Sequence, residues 1–276
     1  MLSEEEPDDQ QLPREGEHKA AARADRRLSK NERKSRFLNK MSEDYDAFDN
    51  VFDISTLMTI SELRSDGIIQ YIESSLAAGK ESKVYLAVAP DGSPRIVKIY
   101  LVVSAEFKKR MQYIAGDPRF SGLKRGSRSL IMTWARKEFK NMRTAHAVGV
   151  RVPLPIAVKK NVLVMEFVGD SEGNPTPALI NTKEITLNDY QQVIEQMMIL
   201  YQKAKLVHAD LSEYNIFKTD LGIMLFDFGS AVDIRHPNSK QFLLRDVINI
   251  NRFFENRGIE VLNTAQVVEK IRGDTK

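Results

Sequence analysis

Hydrophobic and polar positions divide the chain into an early part rich in strands and a later part rich in helices. Short apolar or alternating runs predict strands at residues 67–73, 83–88, 95–101, 155–159 and 162–167. Apolar residues spaced three and four apart predict helices at residues 54–64, 127–148, 188–205, 239–256 and 264–272. Strands that come first and helices that follow indicate the α+β class.

Local signals at turns and caps refine this prediction. Residues 74–82 have the composition of a loop, and Asp91-Gly92 is a strong hairpin signal between two strands. Asn188 or Asp189 is suited to cap the helix predicted at 188–205.

Residues 1–50 differ in composition from the rest of the chain. Residues 14–40 carry ten Lys/Arg against four Asp/Glu, and apolar residues are scattered. Such a segment buries too little apolar surface to offset the entropy of ordering. We expect a flexible N-terminal extension or a surface helix around residues 30–41, either solvated or in contact with a polyanion.

Bulk composition describes an ordinary soluble globular protein. The chain has 276 residues, of which 42 % are hydrophobic and 29 % charged, with a net charge of +3. Cysteine is absent, which excludes disulfides, thiolate metal sites and thiol nucleophiles. The acidic N-terminus lacks the order of a signal peptide, and no apolar run approaches membrane-spanning length. We therefore expect a cytoplasmic protein without a membrane partner.

The candidate chemistry is concentrated in residues 207–229. Asp210 precedes Asn215 by five residues, and an apolar hairpin then leads to Asp227. One carboxylate can take or orient a proton, while an amide and a second carboxylate can hold Mg²⁺ through oxygen. The spacing matches the H-x-D-L-x-x-x-N catalytic loop and the D-F-G metal loop of protein kinases. It predicts Asp210 as the catalytic base or proton-orienting residue, and Asn215 and Asp227 as metal ligands.

Lys98 lies in the otherwise apolar strand predicted at 95–101. A buried ammonium is costly unless it is paired, and Glu138 on the apolar side of the helix at 127–148 is a suitable partner. In kinases the lysine binds the α- and β-phosphates of ATP and is itself held in place by the glutamate. The alternative is an edge-strand lysine with an unrelated surface glutamate.

The segment before Val84 is a weak match to a glycine-rich phosphate loop. Of the kinase pattern G-x-G-x-x-G-x-V only the central glycine, Gly79, is kept. Its backbone can approach phosphate closely, and the Ser82 hydroxyl can add a donor. We assign Gly79, Lys80, Ser82 and Val84 to nucleotide binding.

Residues 162–169 suit the strand and hinge that bind adenine through backbone groups. Met165 is placed at the rear of the pocket, with Glu166 and Val168 in the hinge. Apolar strands are common, so this assignment depends on the loops described above.

Three features depart from conventional protein kinases. Ala209 replaces the arginine that couples the catalytic loop to a phosphorylated activation segment. No A-P-E follows, and only 47 residues come after Gly229, too few for the usual peptide-binding helices. An insertion after Lys98 is basic, with seven Lys/Arg against one acid over residues 108–128.

With these features the chain resembles the RIO family of atypical kinases, in its type-one branch. The matching segments, within residues 50–270, are 79–81, 98–100, 113–120, 208–215, 232–237 and 242–247. Asp227-Phe228-Gly229 departs from the family, whose metal-loop aspartate is usually followed by other residues.

The resemblance implies a two-lobed kinase fold with a trimmed C-terminal lobe. It places an N-terminal lobe at 51–166, with the basic insertion at 104–128, and a compact C-terminal lobe at 167–276. It implies ATP with Mg²⁺, or with Mn²⁺ as an alternative, and serine/threonine kinase and ATPase activity. It also implies that Asp227 can itself accept phosphate. A carboxylate can act as the nucleophile if Mg²⁺ neutralises the charge of the approaching phosphate.

The same resemblance implies a role in late maturation of the small ribosomal subunit. The basic stretches 14–40 and 108–128 would then contact ribosomal RNA or assembly proteins. Two other hypotheses stay open. One is a small-molecule phosphotransferase of the aminoglycoside or choline type, and the other is a nucleotide-sensing assembly factor in which catalysis is incidental. The sequence does not specify an oligomeric state.

Overall fold

The computed structural model describes residues 52–101, 111–120, 127–170 and 172–273. The predictions for residues 1–50, and for the parts of the basic insertion at 104–110 and 121–126, lie outside the described residues.

A five-stranded antiparallel sheet forms the first half of the described chain. Its strands are β1 (Tyr71–Ala78), β2 (Ser82–Val88), β3 (Pro94–Tyr100), β4 (Pro155–Lys159) and β5 (Val162–Glu166). Their order is β1-β2-β3-β5-β4. Within the register, Val84 of β2 pairs with Lys98, which pairs on its other side with Leu163 of β5. Lys98 therefore lies on the central strand.

The first strand lies further along the chain than the alternation pattern predicted. Residues 67–70 do not extend the sheet as strand, because the amides of Ile68 and Ile69 donate to the Leu63 carbonyl and close the end of the preceding helix. Ile69 is fully buried in that role. β1 instead includes residues 74–78, which were assigned to a loop from the sequence. Most of its side chains are exposed at the sheet edge, so its sequence lacks the alternation that marks a half-buried strand.

Two helices accompany the sheet. Helix α1 (Ile54–Ser65) buries Leu57, Ile60 and Leu63. Helix α2 (Ser127–Ala147) carries Glu138 on its buried side. Both helices end within one residue of their predicted limits.

The second half of the chain is mainly helical. Its elements are α3 (Leu187–Gln202), β6 (Leu206–Val207), β7 (Ile216–Thr219), β8 (Gly222–Leu225), β9 (Val232–Asp233), α4 (Ser239–Glu255) and α5 (Thr264–Arg272). The β7–β8 hairpin and the β6–β9 pair are antiparallel. These two pairs bracket the segments that carry the predicted chemistry. Only residues 234–238 separate β9 from α4, so no activation segment intervenes there.

Helix α3 begins with a different cap from the two that were predicted. The Thr186 hydroxyl accepts a hydrogen bond from the Asp189 amide, and the Asp189 carboxylate accepts one from the Thr186 amide. Thr186 is therefore the N-cap. Asp189 is the third helical residue of a capping box, and its carboxylate binds the backbone amide of the N-cap residue.

The α+β class is confirmed by this arrangement. The predicted lobe boundary at residue 166 coincides with the end of β5, while the division into domains stays a prediction. Among the described residues, every helix is too short or too polar to cross a membrane.

Candidate active site

Lys98 lies between two carboxylates that come from distant parts of the chain. Its Nζ is 3.0 Å from both carboxylate oxygens of Glu138 on α2. The same nitrogen is 2.9 Å from Oδ1 of Asp227, which follows β8. Lys98 and Glu138 are buried, whereas the Asp227 side chain is 47 % exposed. One ammonium therefore links the sheet, α2 and the segment 227–231, which we call the metal loop.

Burial and charge oppose each other in this trio. Burial lowers the pKa of Lys98, but the attraction of the two carboxylates is stronger and raises it overall. Burial raises the pKa of Glu138 to about 7, against the opposing effect of Lys98. Burial also raises the pKa of Asp227, but the Lys98 ammonium outweighs it and the net shift is downward. Asp227 is consequently ionised at neutral pH, as a metal ligand must be.

The backbone at Asp227 adopts the left-handed conformation, with φ of +62°. That region costs a non-glycine residue about 1 kcal/mol or more, so the surroundings must hold it there. Two residues later, a side chain on Gly229 would meet Nε1 of Trp134 at 2.8 Å. Gly229 thus allows the metal loop to lie directly against α2.

Side chains of helix α4 bind the backbone of the loop that carries Asp210. Asp246 accepts the Ala209 amide at 2.7 Å and the Leu211 amide at 3.0 Å. Arg245 donates to the Ala209 carbonyl. Ala209 itself has φ of +65° and is fully buried, so this turn is fixed on both sides of Asp210.

The Asp210 side chain lines a cavity, and its surroundings favour the protonated form of the carboxyl. Partial desolvation and the charge of Asp227 raise the pKa of Asp210 to about 6, against the opposing charge of Arg245. A carboxylate with such a pKa can accept a proton from a hydroxyl and release it again near neutral pH.

Asn215 is tied to the catalytic loop through its amide nitrogen. Its Nδ2 donates to the Asp210 carbonyl at 2.8 Å, and its own backbone carbonyl accepts the Phe226 amide at 3.0 Å. With the nitrogen committed, Oδ1 is the side-chain atom suited to a cation.

His208 supports the same pair of loops from the interior. It lies 3.0 Å through Nε2 from the Phe226 carbonyl and packs edge-on against Phe228 at 4.8 Å. Burial lowers the pKa of His208 to about 4. Its Nδ1 is buried and has no hydrogen-bond partner among the described residues, so a second ring proton would be unsatisfied. His208 therefore joins the two loops as a neutral donor.

A cavity of about 180 Å³ brings most of the predicted residues together. It is lined by residues of the β1–β2 turn, the sheet, α2 and both loops: Gly79, Lys80, Glu81, Ser82, Lys98, Tyr100, Trp134, Asp210, Asp227 and Ser230. The turn is closed by a hydrogen bond from the Gly79 amide to the Ser82 carbonyl at 2.9 Å. Val84 is half-buried opposite Lys98. The cavity is where the phosphates of a nucleotide are expected.

The predicted hinge residues line a second, larger cavity of about 490 Å³. Glu166 and Val168 border it together with the tip of the β7–β8 hairpin, whereas Met165 is buried in β5 beside Ile96. The Glu166 amide is occupied by the Leu154 carbonyl at 2.9 Å. The Val168 amide has no hydrogen-bond partner among the described residues.

Sequence reasoning missed several polar residues behind the site. Asp246 lies within the apolar stripe of α4, between Phe242 and Ile250, and that position was a signal of burial. Lys137 and Asn141 on α2 are fully buried and bind backbone carbonyls of the metal loop. Their one signal was the presence of polar residues one helical turn apart on a helix that the apolar pattern already placed in the core.

The donor set fits a magnesium–nucleotide complex. Mg²⁺ is usually held by one or two protein oxygens together with substrate phosphates and water. Asp227 supplies a half-exposed carboxylate that lines the phosphate cavity. Asn215 does not line it but supplies an amide oxygen on a side chain bound to the backbone of Asp210, which does. No cluster of three or more potential metal-binding side chains of His, Cys, Asp or Glu occurs in the described part of the chain. The site therefore suits a cation brought by a nucleotide.

Comparison with known proteins decides the family. The model of the RIO domain matches residues 83–267. A RIO-type serine/threonine-protein kinase Rio1 of Haloferax volcanii is 37 % identical over 235 residues, which are 85 % of this chain and 80 % of that protein. The chain belongs to the RIO family. The Rio1 of Methanocaldococcus jannaschii is 39 % identical over 80 % of this chain and 76 % of its own, so the predicted type-one RIO resemblance is confirmed.

Other RIO proteins are longer or more distant. The human RIO1 kinase is 35 % identical over 229 residues, and this chain spans 40 % of its length. A crystal structure of the Rio2 kinase–ADP/Mg²⁺–phosphoaspartate complex from Chaetomium thermophilum matches with a TM-score of 0.57 and 20 % identity. That match covers 78 % of this chain and 66 % of the other. It confirms the predicted kinase-like fold of this RIO chain.

Proposed function

We propose that this RIO kinase transfers the γ-phosphate of ATP in a Mg²⁺-dependent reaction, with serine/threonine kinase and ATPase activity. The observation that carries the proposal is the contact of Lys98 with both Glu138 and Asp227, in the cavity that also contains Asp210. In kinases the corresponding lysine, glutamate and aspartate must all be in place for phosphotransfer. Bound Mg²⁺ would neutralise phosphate charge.

Each residue has a defined task in this reaction. Lys98 would bind the phosphates, and the backbone of the Gly79 turn would approach them. Asp210 would accept the proton of the attacking hydroxyl or water, for which its raised pKa of about 6 is suited. Asn215 and Asp227 would hold the cation.

We further propose that Asp227 is itself a phosphate acceptor. It is ionised through its contact with Lys98 and half exposed toward the phosphate cavity. One carboxylate oxygen would form a bond to the γ-phosphorus as the bond to the β-γ bridging oxygen breaks and ADP leaves. Water would then release inorganic phosphate and restore the carboxylate. The phosphoaspartate in the Chaetomium Rio2 complex supports this route.

The biological setting follows the family. We propose a cytoplasmic role in late maturation of the small ribosomal subunit, with the basic stretches 14–40 and 108–128 as surfaces for ribosomal RNA or assembly proteins. Residues 1–50 lie outside the described residues, as do nine of the 21 residues of the second stretch, among them five of its seven Lys/Arg. Within it, Arg119 is paired with Asp117 rather than free, so the other basic residues would carry such a contact.

Labelling with radioactive ATP tests the proposal. Wild type, Asp210→Ala, Asp227→Asn and the surface control Glu269→Gln are compared with and without small-subunit particles. A label on Ser/Thr that Asp210→Ala loses supports the kinase, and a hydroxylamine-labile label that Asp227→Asn abolishes supports the aspartyl route. ATP binding without turnover would favour the nucleotide sensor. Turnover only with an aminoglycoside or choline-type acceptor would favour the small-molecule phosphotransferase.

A further inference from the structure

Two fully buried polar side chains on α2 hold the backbone that follows Asp227. Nζ of Lys137 donates to the Gly229 carbonyl at 2.8 Å and to the Ala231 carbonyl at 2.5 Å. Nδ2 of Asn141 donates to the carbonyls of Phe228 and Ala231, both at 2.9 Å. Three carbonyls of the metal loop are therefore bound by one helix.

A charged pair from the basic insertion braces this arrangement. Nη1 of Arg119 donates to Oδ1 of Asn141 at 2.8 Å, which commits that oxygen and turns Nδ2 toward the metal loop. Asp117 receives Nε of Arg119 at 2.9 Å and Nη2 at 2.7 Å. Such a two-point contact fixes the plane of the guanidinium. We call Asp117, Arg119, Lys137 and Asn141 the loop clamp.

Stability alone gives a poor account of the loop clamp. Lys137 and Asn141 are fully buried, and an amine or amide loses hydration on burial unless hydrogen bonds replace it. An apolar side chain of similar length would fill the same space without that cost. What only the polar side chains supply is a fixed position for the carbonyls next to Asp227. That residue needs external support, because its φ is +62°.

We propose that Lys137 and Asn141 are positioning residues that hold Asp227 in the conformation required for binding the magnesium–nucleotide complex, braced by the Asp117–Arg119 pair. The proposal rests on the proposed function, in which Asp227 binds Mg²⁺. It adds that residues which touch neither nucleotide nor metal set the affinity for the cation. It also assigns a structural role to the insertion, because Arg119 of the insertion binds Asn141, which in turn binds the metal loop.

The test compares Lys137→Met with Lys140→Met, which alters an exposed lysine on the same helix. ADP affinity is measured by calorimetry with Mg²⁺ and with EDTA. We expect Lys137→Met to reduce affinity for ADP with Mg²⁺ by about tenfold, as is typical when support behind a ligand is lost, and to leave affinity in EDTA unchanged. Amide exchange of residues 227–233 in metal-free protein should become faster in Lys137→Met and stay unchanged in Lys140→Met.

Arg119→Met provides a second variant whose change lies outside the helix, should Lys137→Met fail to fold. It should lower the Mg²⁺-dependent gain in ADP affinity by a smaller factor than Lys137→Met. If folded variants keep the full gain and the wild-type exchange pattern, the positioning role is wrong. If wild type itself shows no gain in ADP affinity with Mg²⁺, the proposed function fails instead.

Discussion

Asp246 binds the backbone on both sides of Asp210, through the amides of Ala209 at 2.7 Å and Leu211 at 3.0 Å. The catalytic loop is thereby attached to a helix that begins well after the metal loop. Since Ala209 is in the left-handed region, these bonds keep a turn that the chain would not adopt readily alone.

We predict that Asp246→Asn lowers both stability and activity. An amide presents one acceptor and one donor, so one of the two backbone amides would face another N–H group. An unsatisfied buried donor costs roughly 1–3 kcal/mol, measurable by urea denaturation. Displacement of Asp210 should reduce kcat by roughly 100-fold. Glu255→Gln, an exposed acid on the same helix, is the control, and equal kcat in the two variants would contradict the supporting role of Asp246.

The pKa of the Asp210 carboxyl should depend on the negative charge of Asp227. Its pKa of about 6 is raised by desolvation and next by Asp227. We expect the carboxyl ¹³C resonance of Asp210 to show a midpoint near pH 6, with kcat/KM falling below that pH as the base is protonated. In Asp227→Asn the midpoint should move to lower pH, because a neighbouring negative charge is gone.

The assignment of that resonance comes from its loss in Asp210→Asn. Glu269→Gln serves as a distant charge control and should leave the midpoint where it is. An unchanged midpoint in Asp227→Asn would mean that the two carboxylates are not coupled.

The candidate catalytic and metal-binding residues could be predicted from the sequence, whereas the residues that hold them in place could not. Lys98, Asp210, Asn215 and Asp227 occur at spacings set by the reaction, so the pattern is visible in one sequence. Asp246 and Lys137 bind backbone atoms instead, and any segment of chain offers a carbonyl or an amide. Which segment they reach is decided by tertiary packing, as in the 92 positions that separate Lys137 from Gly229.

The fold shows the same limit at a smaller scale. Helices α2 and α4 follow from their regular apolar spacing, and the β2–β3 turn from Asp91-Gly92. The position of β1 did not follow, because Ile68 and Ile69 look like strand residues but close helix α1. An edge strand with exposed side chains gives little alternation to detect.

His208 should make the protein sensitive to acid. Its pKa is about 4 in the folded protein, below the ordinary value of 6.5, so the unfolded chain takes up the proton first as pH falls. The contribution of His208 to the free energy of unfolding is fully present above pH 6.5. It decreases as pH falls toward 4, by roughly 3 kcal/mol in total.

Denaturation at pH 6.5 and pH 4 measures this loss in wild type and in His208→Gln. The variant should lose less stability over the interval, and the difference between the two isolates the histidine from other acids. His146→Gln changes an exposed histidine on α2 and should behave as wild type does. Identical losses in wild type and His208→Gln would show that His208 is not the acid-sensitive group.

Gly229 should tolerate no side chain while Trp134 is present. A Cβ at that position would lie 2.8 Å from Nε1 of the indole and 3.4 Å from Oε2 of Glu138. We predict that Gly229→Ala costs roughly 1–3 kcal/mol through overpacking, and that ATP turnover falls because the metal loop moves away from α2. Thermal unfolding and a steady-state ATPase assay measure the two effects.

A double variant tests whether the steric conflict with Trp134 is the cause. Trp134→Phe removes the indole nitrogen nearest to the added methyl group. If the clash is the cause, Trp134→Phe/Gly229→Ala should be more stable than the sum of the two single changes predicts, with part of the turnover restored. Strict additivity would indicate that the contact with Trp134 is incidental and that another neighbour of the added methyl group, such as Oε2 of Glu138, causes the loss.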